Sequence, residues 1–313
     1  MNRLRANNPA RAGAGSGAAP LPRTSDPTVL VDRRGTEETK IRREIAIMKK
    51  CDHPNIIKFF AYIDDSMSAN VCLIMEYMEG GELQWHSDSE PYLTMGQTRR
   101  VMRDVVLGLE YLHLQDIIHR DIKPSNIMWT ADRSHVKIGD FGVAHLAAVD
   151  DELGDSDGPR HAGTPAFLAP EIAPGFEGPM GEVTPAVDLW ALGVTLYCLL
   201  FGRMPFEPRS DVAGHVAAEA SLYRAIREDP WVPRDMMSSQ RIAVHNADWQ
   251  RGGVLYLLDH LLRKDPAQRF GIDDVKASTD NLQWPVGLSL LHHAASLTLT
   301  SRRGPRKSLV AGC

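Results

Sequence analysis

The run His119-Arg120-Asp121-Ile122-Lys123-Pro124-Ser125-Asn126 gathers ionisable and polar side chains into one short stretch. Asp140-Phe141-Gly142 begins 19 residues after Asp121, and Ala169-Pro170-Glu171 follows in the same order. A carboxylate such as Asp121 can accept or orient the proton of a hydroxyl group. Lys123, two residues on, carries an ammonium that can reach a phosphate. The amide oxygen of Asn126 and the carboxylate of Asp140 are hard donors of the kind magnesium prefers. These residue types fit phosphoryl transfer, in which catalysis is mainly positioning and charge neutralisation. Each tripeptide alone is a weak signal, whereas the ordered set is specific.

Positioning such groups takes a folded frame, and the composition permits one. The chain has 313 residues, 43% of them apolar, enough to bury a sizeable core. A net charge of -5 leaves no basic excess for nucleic acid. The longest apolar run, Leu189 to Phe201, falls short of the roughly 20 residues that span a bilayer and reads as a buried helix. No membrane partner is expected. Cys51, Cys72, Cys198 and Cys313 show no paired spacing, so neither a disulfide framework nor a zinc site is expected. A reducing, cytoplasmic setting is the simplest reading.

Residues 1–35, rich in Ala, Gly, Pro and Arg, are expected to form a lead without fixed structure. Thr36 is placed to cap a helix, with Glu37 and Glu38 in its first turn and Ile41, Ile45 and Met48 on one apolar face. His53-Pro54-Asn55 ends it. Strands are expected over Ile56 to Ile63 and Val71 to Met75, around a polar turn from Asp64 to Asn70. Met95 to Leu114 reads as a helix with Val101, Val105, Leu109 and Leu112 on one face. Ile117 to Met128 reads as a loop around Pro124, and Val136 to Ile138 as a short strand. An acidic loop, Asp150 to Gly158, precedes a largely helical remainder that ends near Trp284, and 286–313 reads as a mobile tail.

The ordered motifs resemble those of the protein kinase family over about residues 36–285. The resemblance implies an α+β, two-lobed fold, with a partial small lobe over 36–78 and a mainly helical large lobe over 79–285. It implies ATP and magnesium as cofactors and a protein hydroxyl as acceptor. Asp121, Lys123 and Asn126 become the catalytic group, with Asn126 and Asp140 holding the metal. Glu44 resembles the helix glutamate that pairs with a phosphate-binding lysine. The segment Ile74 to Glu82 resembles the hinge: Met75 as gatekeeper, the backbone of Glu76 and Met78 on the adenine edge, Glu82 on the ribose. Asp188 to Gly193 resembles the buried helix that anchors the catalytic loop, and Arg269 is placed to pair with Glu171. Met48, Phe59, His119 and Phe141 match the family's hydrophobic spine. Lysine two residues after Asp121 implies serine or threonine acceptors, and Thr164 could bond Asp121.

Three stretches narrow the match. Glu44 to Asn55, Gly163 to Phe167 and Ala191 to Gly202 resemble the calcium/calmodulin-dependent protein kinase kinases and their fungal relatives. That resemblance implies activation loops of other kinases as substrates. Arg160 stands where many kinases carry a phosphorylatable residue, so an activation loop ordered without phosphate is expected. Leu288, Leu290, Leu291 and Leu297 near basic residues hint at a calmodulin-binding helix, but Gly304-Pro305 interrupts the basic segment.

One departure stands out. Gly13, Gly15 and Gly17 lack the spacing of a phosphate-binding glycine loop, and residues 1–39 contain no lysine. Lys40 lies four residues before Glu44 and shares its helix. The glycine-rich loop and strand lysine are therefore missing from the small lobe. A truncated gene model is the favoured explanation. The alternatives are a non-catalytic pseudokinase or binding scaffold, and a substitute cation among Arg33, Arg34 and Arg42.

Overall fold

Helix α1, Arg33–Lys50, leads into an antiparallel pair, β1 (Phe59–Asp64) and β2 (Val71–Met75). A short hairpin, β3 (His86–Ser87) and β4 (Glu90–Pro91), comes before α2 (Met95–Leu114). Next are β5 (Ile127–Trp129) and β6 (Val136–Ile138), then α3 (Ala186–Phe201) and α4 (His215–Glu228). A hairpin of β7 (Met236–Met237) and β8 (Ile242–Ala243), α5 (Val254–Leu261) and α6 (Ile272–Asn281) complete the order. The structure, a computed structural model, describes residues 33–64, 71–146, 162–175, 182–281 and 284–285. The N-terminal lead, the glycines at 13, 15 and 17, the acidic loop, Arg160 and the tail lie outside the described residues.

Two boundaries differ from the sequence expectation. Helix α1 begins before Thr36, so Thr36 lies within the helix and does not cap it. Arg33 and Arg34 favour helix, and a single Gly35 costs only about 1 kcal/mol, too little to stop it. The apolar face of α1 holds the expected Ile45 and Met48, and also Ile47, which is fully buried. The first strand starts at Phe59 rather than Ile56, and includes Asp64. Ile56 and Ile57 are buried against β6 instead. There the Ile57 N–H donates to the Ile138 carbonyl at 2.9 Å, and the Ile138 N–H to the Asn55 carbonyl at 2.8 Å. One apolar run thus serves two sheets, a division that local pattern does not encode.

The expected β2, α2 and β6 appear with the bounds read from sequence. Thr94 caps α2 in a reciprocal box: its Oγ1 accepts from the Gln97 N–H, and its own N–H donates to Gln97 Oε1 at 2.9 Å. Val101, Val105, Leu109 and Leu112 are buried as a single stripe. α3 is buried on every side except at its first residue, as its unbroken apolar composition demands. It ends at Gly202 with φ 66°, where an added Cβ would lie 2.4 Å from the Glu90 carbonyl carbon. The β1–β2 pair is far more open. Phe60 is 59% exposed and Ile63 55%, and among the described residues no third strand pairs with either.

Candidate active site

The loop that carries His119 to Asn126 hangs from a buried carboxylate on α3. Asp188 Oδ2 accepts the His119 N–H at 2.9 Å, and Oδ1 accepts the Arg120 N–H at 2.7 Å. His113, on α2, meets the same Oδ2 through Nε2 at 2.9 Å. Burial acts to raise the pKa of Asp188, but bonds and charge from His113 and His119 outweigh it and hold the carboxyl below its ordinary value. Arg120 sits at φ 66°, in the left-handed region, so the anchored loop turns sharply just before Asp121. The His119 ring Nε2 lies 3.0 Å from the Gly139 carbonyl, and its Nδ1 accepts the Asp121 N–H at 3.3 Å. That assigns the proton to Nε2. Burial pushes the His119 pKa down, so the ring is neutral, and it lies 5.0 Å from the Phe141 ring.

Asp121 is bracketed on both oxygens. Oδ1 accepts the Thr164 hydroxyl at 2.7 Å and the Thr164 N–H at 2.9 Å. Oδ2 lies 2.7 Å from Lys123 Nζ and accepts from Asn126 Nδ2 at 2.9 Å. Lys123 Nζ also donates to Thr164 Oγ1 at 2.6 Å. Burial works to raise the Asp121 pKa, but the bonds from Lys123, Thr164 and Asn126 prevail and lower it. The side chain stands ionised and aimed, as a proton acceptor must be.

Asn126 closes a short turn, Pro124–Asn126, and its carbonyl accepts the Gly139 N–H at 2.9 Å. This ties the Asp121 loop to the strand that delivers Asp140. The Asn126 amide nitrogen is spent on Asp121, which turns its oxygen the other way. Asp140 adopts φ 63°, and its Oδ1 accepts the Gly142 N–H at 3.2 Å. Gly139 has no room for a side chain, since a Cβ there would lie 2.4 Å from Ile57 Cδ1. Among the described residues no cluster of three His, Cys, Asp or Glu forms a closed metal cage. One carboxylate and one amide oxygen beside an open cleft suit magnesium, which commonly takes its other ligands from phosphates and water.

That cleft has a volume of about 1140 Å³ and is lined by Glu44, Met75, Glu76, Met78, Glu82 and Asp140 among others. Asp121, Lys123 and Asn126 form their cluster beside the cleft, with Ser125 reaching its wall. The Glu76 N–H donates to the Lys58 carbonyl at 2.8 Å, which leaves the Glu76 carbonyl as its backbone group for a ligand. Its carboxylate meets Lys137 Nζ at 2.7 and 2.8 Å. Burial, then the Asp140 charge, raise the Glu44 pKa, and no cation pairs with Glu44 among the described residues. Arg42 is exposed, and the side chains of Arg33 and Arg34 lie outside the described residues. Farther from the cleft, Arg269 grips Glu171 with two bonds of 2.7 and 3.0 Å, and both side chains are buried.

Sequence reading passed over four contributors. His113 shares Asp188, Lys137 holds Glu76, and Trp85 and Tyr92 line the cleft. Their partners are distant in sequence, 75 residues apart for His113 and Asp188, so no local spacing marks them. Trp85 and Tyr92 had a weaker signal available: two aromatic residues flanking a polar hairpin next to the hinge-like segment.

A carboxylate-anchored loop carrying Asp121, a second aspartate at the mouth of a cleft, and an α+β frame match the protein kinase class. Residues 28–279 match the protein kinase domain, and the chain belongs to that family. It is 43% identical over 244 residues to the serine/threonine-protein kinase ssp1 of Schizosaccharomyces pombe, covering 77% of this chain and 34% of that protein. It is 37% identical over 280 residues to SNF1-activating kinase 1 of Saccharomyces cerevisiae, covering 80% of this chain and 24% of that protein. A calcium/calmodulin-dependent protein kinase kinase of Caenorhabditis elegans is 35% identical over 242 residues, covering 76% of this chain and 39% of the relative. The chain thus spans less than half the length of these relatives.

Proposed function

We propose that this chain transfers the terminal phosphate of ATP to serine or threonine hydroxyls of proteins, and that activation loops of other kinases are its substrates. The bracketed Asp121 carboxylate carries the reading: Lys123, Thr164 and Asn126 hold it ionised and fixed in direction. In this role Asp121 orients the acceptor hydroxyl and takes up its proton. Lys123 stands within reach of the transferring phosphate, and Asn126 and Asp140 would hold magnesium. Bound magnesium supplies neutralisation of phosphate charge. The Glu76 carbonyl and the Met78 backbone would face the adenine edge, Met75 would stand behind it, and Glu82 would meet the ribose. The lobes divide in this reading at residue 78. The names of the relatives, one of them a SNF1-activating kinase, support kinases as the acceptor class.

No helix among the described residues is long and apolar enough to cross a membrane, and Cys51, Cys72 and Cys198 are free thiols. The proposal sets the reaction in the cytoplasm. Calmodulin is a further partner with weaker support: Leu288, Leu290, Leu291 and Leu297 lie near basic residues, and Gly304-Pro305 interrupts that basic segment. A pseudokinase is the second reading, and Glu44, without a cation among the described residues, favours it. Intact Asp121 and Asp140 weigh against it.

The test is transfer from labelled ATP with magnesium to an activation-loop peptide, beside an Asp140→Asn variant. Incorporation that vanishes in the variant and on chelation of magnesium is expected. Well-folded protein without incorporation would support the pseudokinase.

A further inference from the structure

The β3–β4 hairpin is too short to be stable by itself, with two residues in each strand. The fold secures it from below. Glu90 meets Arg241 at 3.1 Å, Gly202 just after α3 lies tight against the Glu90 backbone, and Ser239 N–H donates to the Leu93 carbonyl at 2.9 Å. His86 pairs with Pro91, so Trp85 faces Tyr92 across the strands, and the Tyr92 N–H donates to the Trp85 carbonyl at 3.1 Å. The Trp85 ring packs partly on the core, edge-on to His86 at 4.2 Å, while Tyr92 is 44% exposed. Both rings line the cleft that holds Asp140.

The segment that carries these rings is acidic. Residues 77–93 contain Glu79, Glu82, Asp88 and Glu90 and no lysine or arginine. Arg241 takes Glu90, and Arg133, on the cleft wall, donates to the Gly80 carbonyl at 3.4 Å. Glu79, Glu82 and Asp88 are exposed and have no ion-pair partner among the described residues. Aromatic faces in an acidic field attract cations, and the planar guanidinium adds stacking that an ammonium lacks.

We propose that Trp85 and Tyr92 form a subsite that receives an arginine side chain of the acceptor protein beside the phosphorylated residue. The proposal deepens the kinase reading and rests on it for the identity of the acceptor. It assigns the hairpin a specificity role separate from the groups that act on the phosphate.

The test uses the full chain and fluorescein-labelled peptides with one serine or threonine, in which a single arginine is moved along an otherwise alanine-rich sequence. Anisotropy without ATP reads binding, and transfer is read separately. One position is expected to bind about three- to thirtyfold more tightly with arginine than with alanine, the range of a cation–aromatic contact. Trp85→Ala should erase that ratio and Trp85→Phe should keep most of it. If Trp85→Ala does not fold, Tyr92→Ala provides the same comparison at an exposed site. An arginine preference that survives both alanine variants overturns the proposal. So does the absence of any arginine preference, or a stronger preference for leucine at the same position. Asp140→Asn separates the two readings: it should stop transfer and leave the binding ratio intact. A wild-type protein that binds with the arginine ratio yet transfers nothing would count against the kinase reading alone.

Discussion

Thr164 donates twice to a single oxygen of Asp121, through its N–H at 2.9 Å and its hydroxyl at 2.7 Å. The same hydroxyl accepts from Lys123 at 2.6 Å, so one threonine orients both the Asp121 carboxylate and the cation beside it. Thr164→Ala removes the side-chain bonds and keeps the backbone one. We expect kcat to fall about tenfold, with Thr164→Ser close to wild type. Asp121→Asn should cost more, roughly 10²- to 10⁴-fold in kcat, the usual range for a positioned acid–base group. Equal kcat in Thr164→Ala and wild type would remove Thr164 from this role.

Asp188 is the anchor whose loss should be felt throughout the loop that carries Asp121. Asp188→Ala leaves the His119 and Arg120 N–H groups buried without an acceptor and His113 without its carboxylate. A loss of about 3–5 kcal/mol in folding stability is expected. Urea unfolding followed by circular dichroism checks it, and a loss below about 1 kcal/mol would contradict the anchoring described.

Gly163 holds φ 128°, and a Cβ there would lie 2.7 Å from the Arg120 carbonyl oxygen. Gly163→Ala should therefore move Thr164 away from Asp121. Lower kcat and a lower melting temperature are expected together, with a conformational cost of about 1–3 kcal/mol. A melting temperature equal to wild type would show that the segment accommodates the methyl group.

Glu44 makes the pH dependence testable. Burial, then the Asp140 charge, raise its pKa above the ordinary 4.5, so the folded chain binds this proton more tightly than the unfolded chain. The resulting penalty is absent well below 4.5, grows as pH rises toward the folded value, and is fully present above it. Glu44→Gln should raise the melting temperature at pH 7.5, and the gain should shrink toward zero at pH 4. Thermal melts across that range decide it, and an equal gain at both ends would assign the effect to packing.

Arg269 makes a planar, two-pronged contact with Glu171 and also donates to the Ala186 carbonyl at 2.7 Å. Lysine cannot reproduce that fork. Arg269→Lys is expected to destabilise by about 2–4 kcal/mol, because it leaves buried acceptors unmatched. Guanidinium unfolding provides the measurement, and a near-neutral result would make the pair dispensable.

Local signals in the sequence carried much of the frame. The stripe Val101, Val105, Leu109 and Leu112 marked α2, and the unbroken apolar run from Leu189 marked α3, because periodicity and composition are properties of neighbouring residues. The order of motifs around Asp121, Asp140 and Glu171 likewise carried the family. Tertiary structure alone decided which partner each residue met. It gave Ile56 and Ile57 to β6 instead of β1, joined His113 to Asp188 across 75 residues, and set Lys137 on Glu76 across 61. It also brought Trp85 and Tyr92 together, across one hairpin, as lining of the cleft. Hydrogen bonds and ion pairs act over a few ångströms of space, and sequence distance places no limit on which groups the chain brings that close.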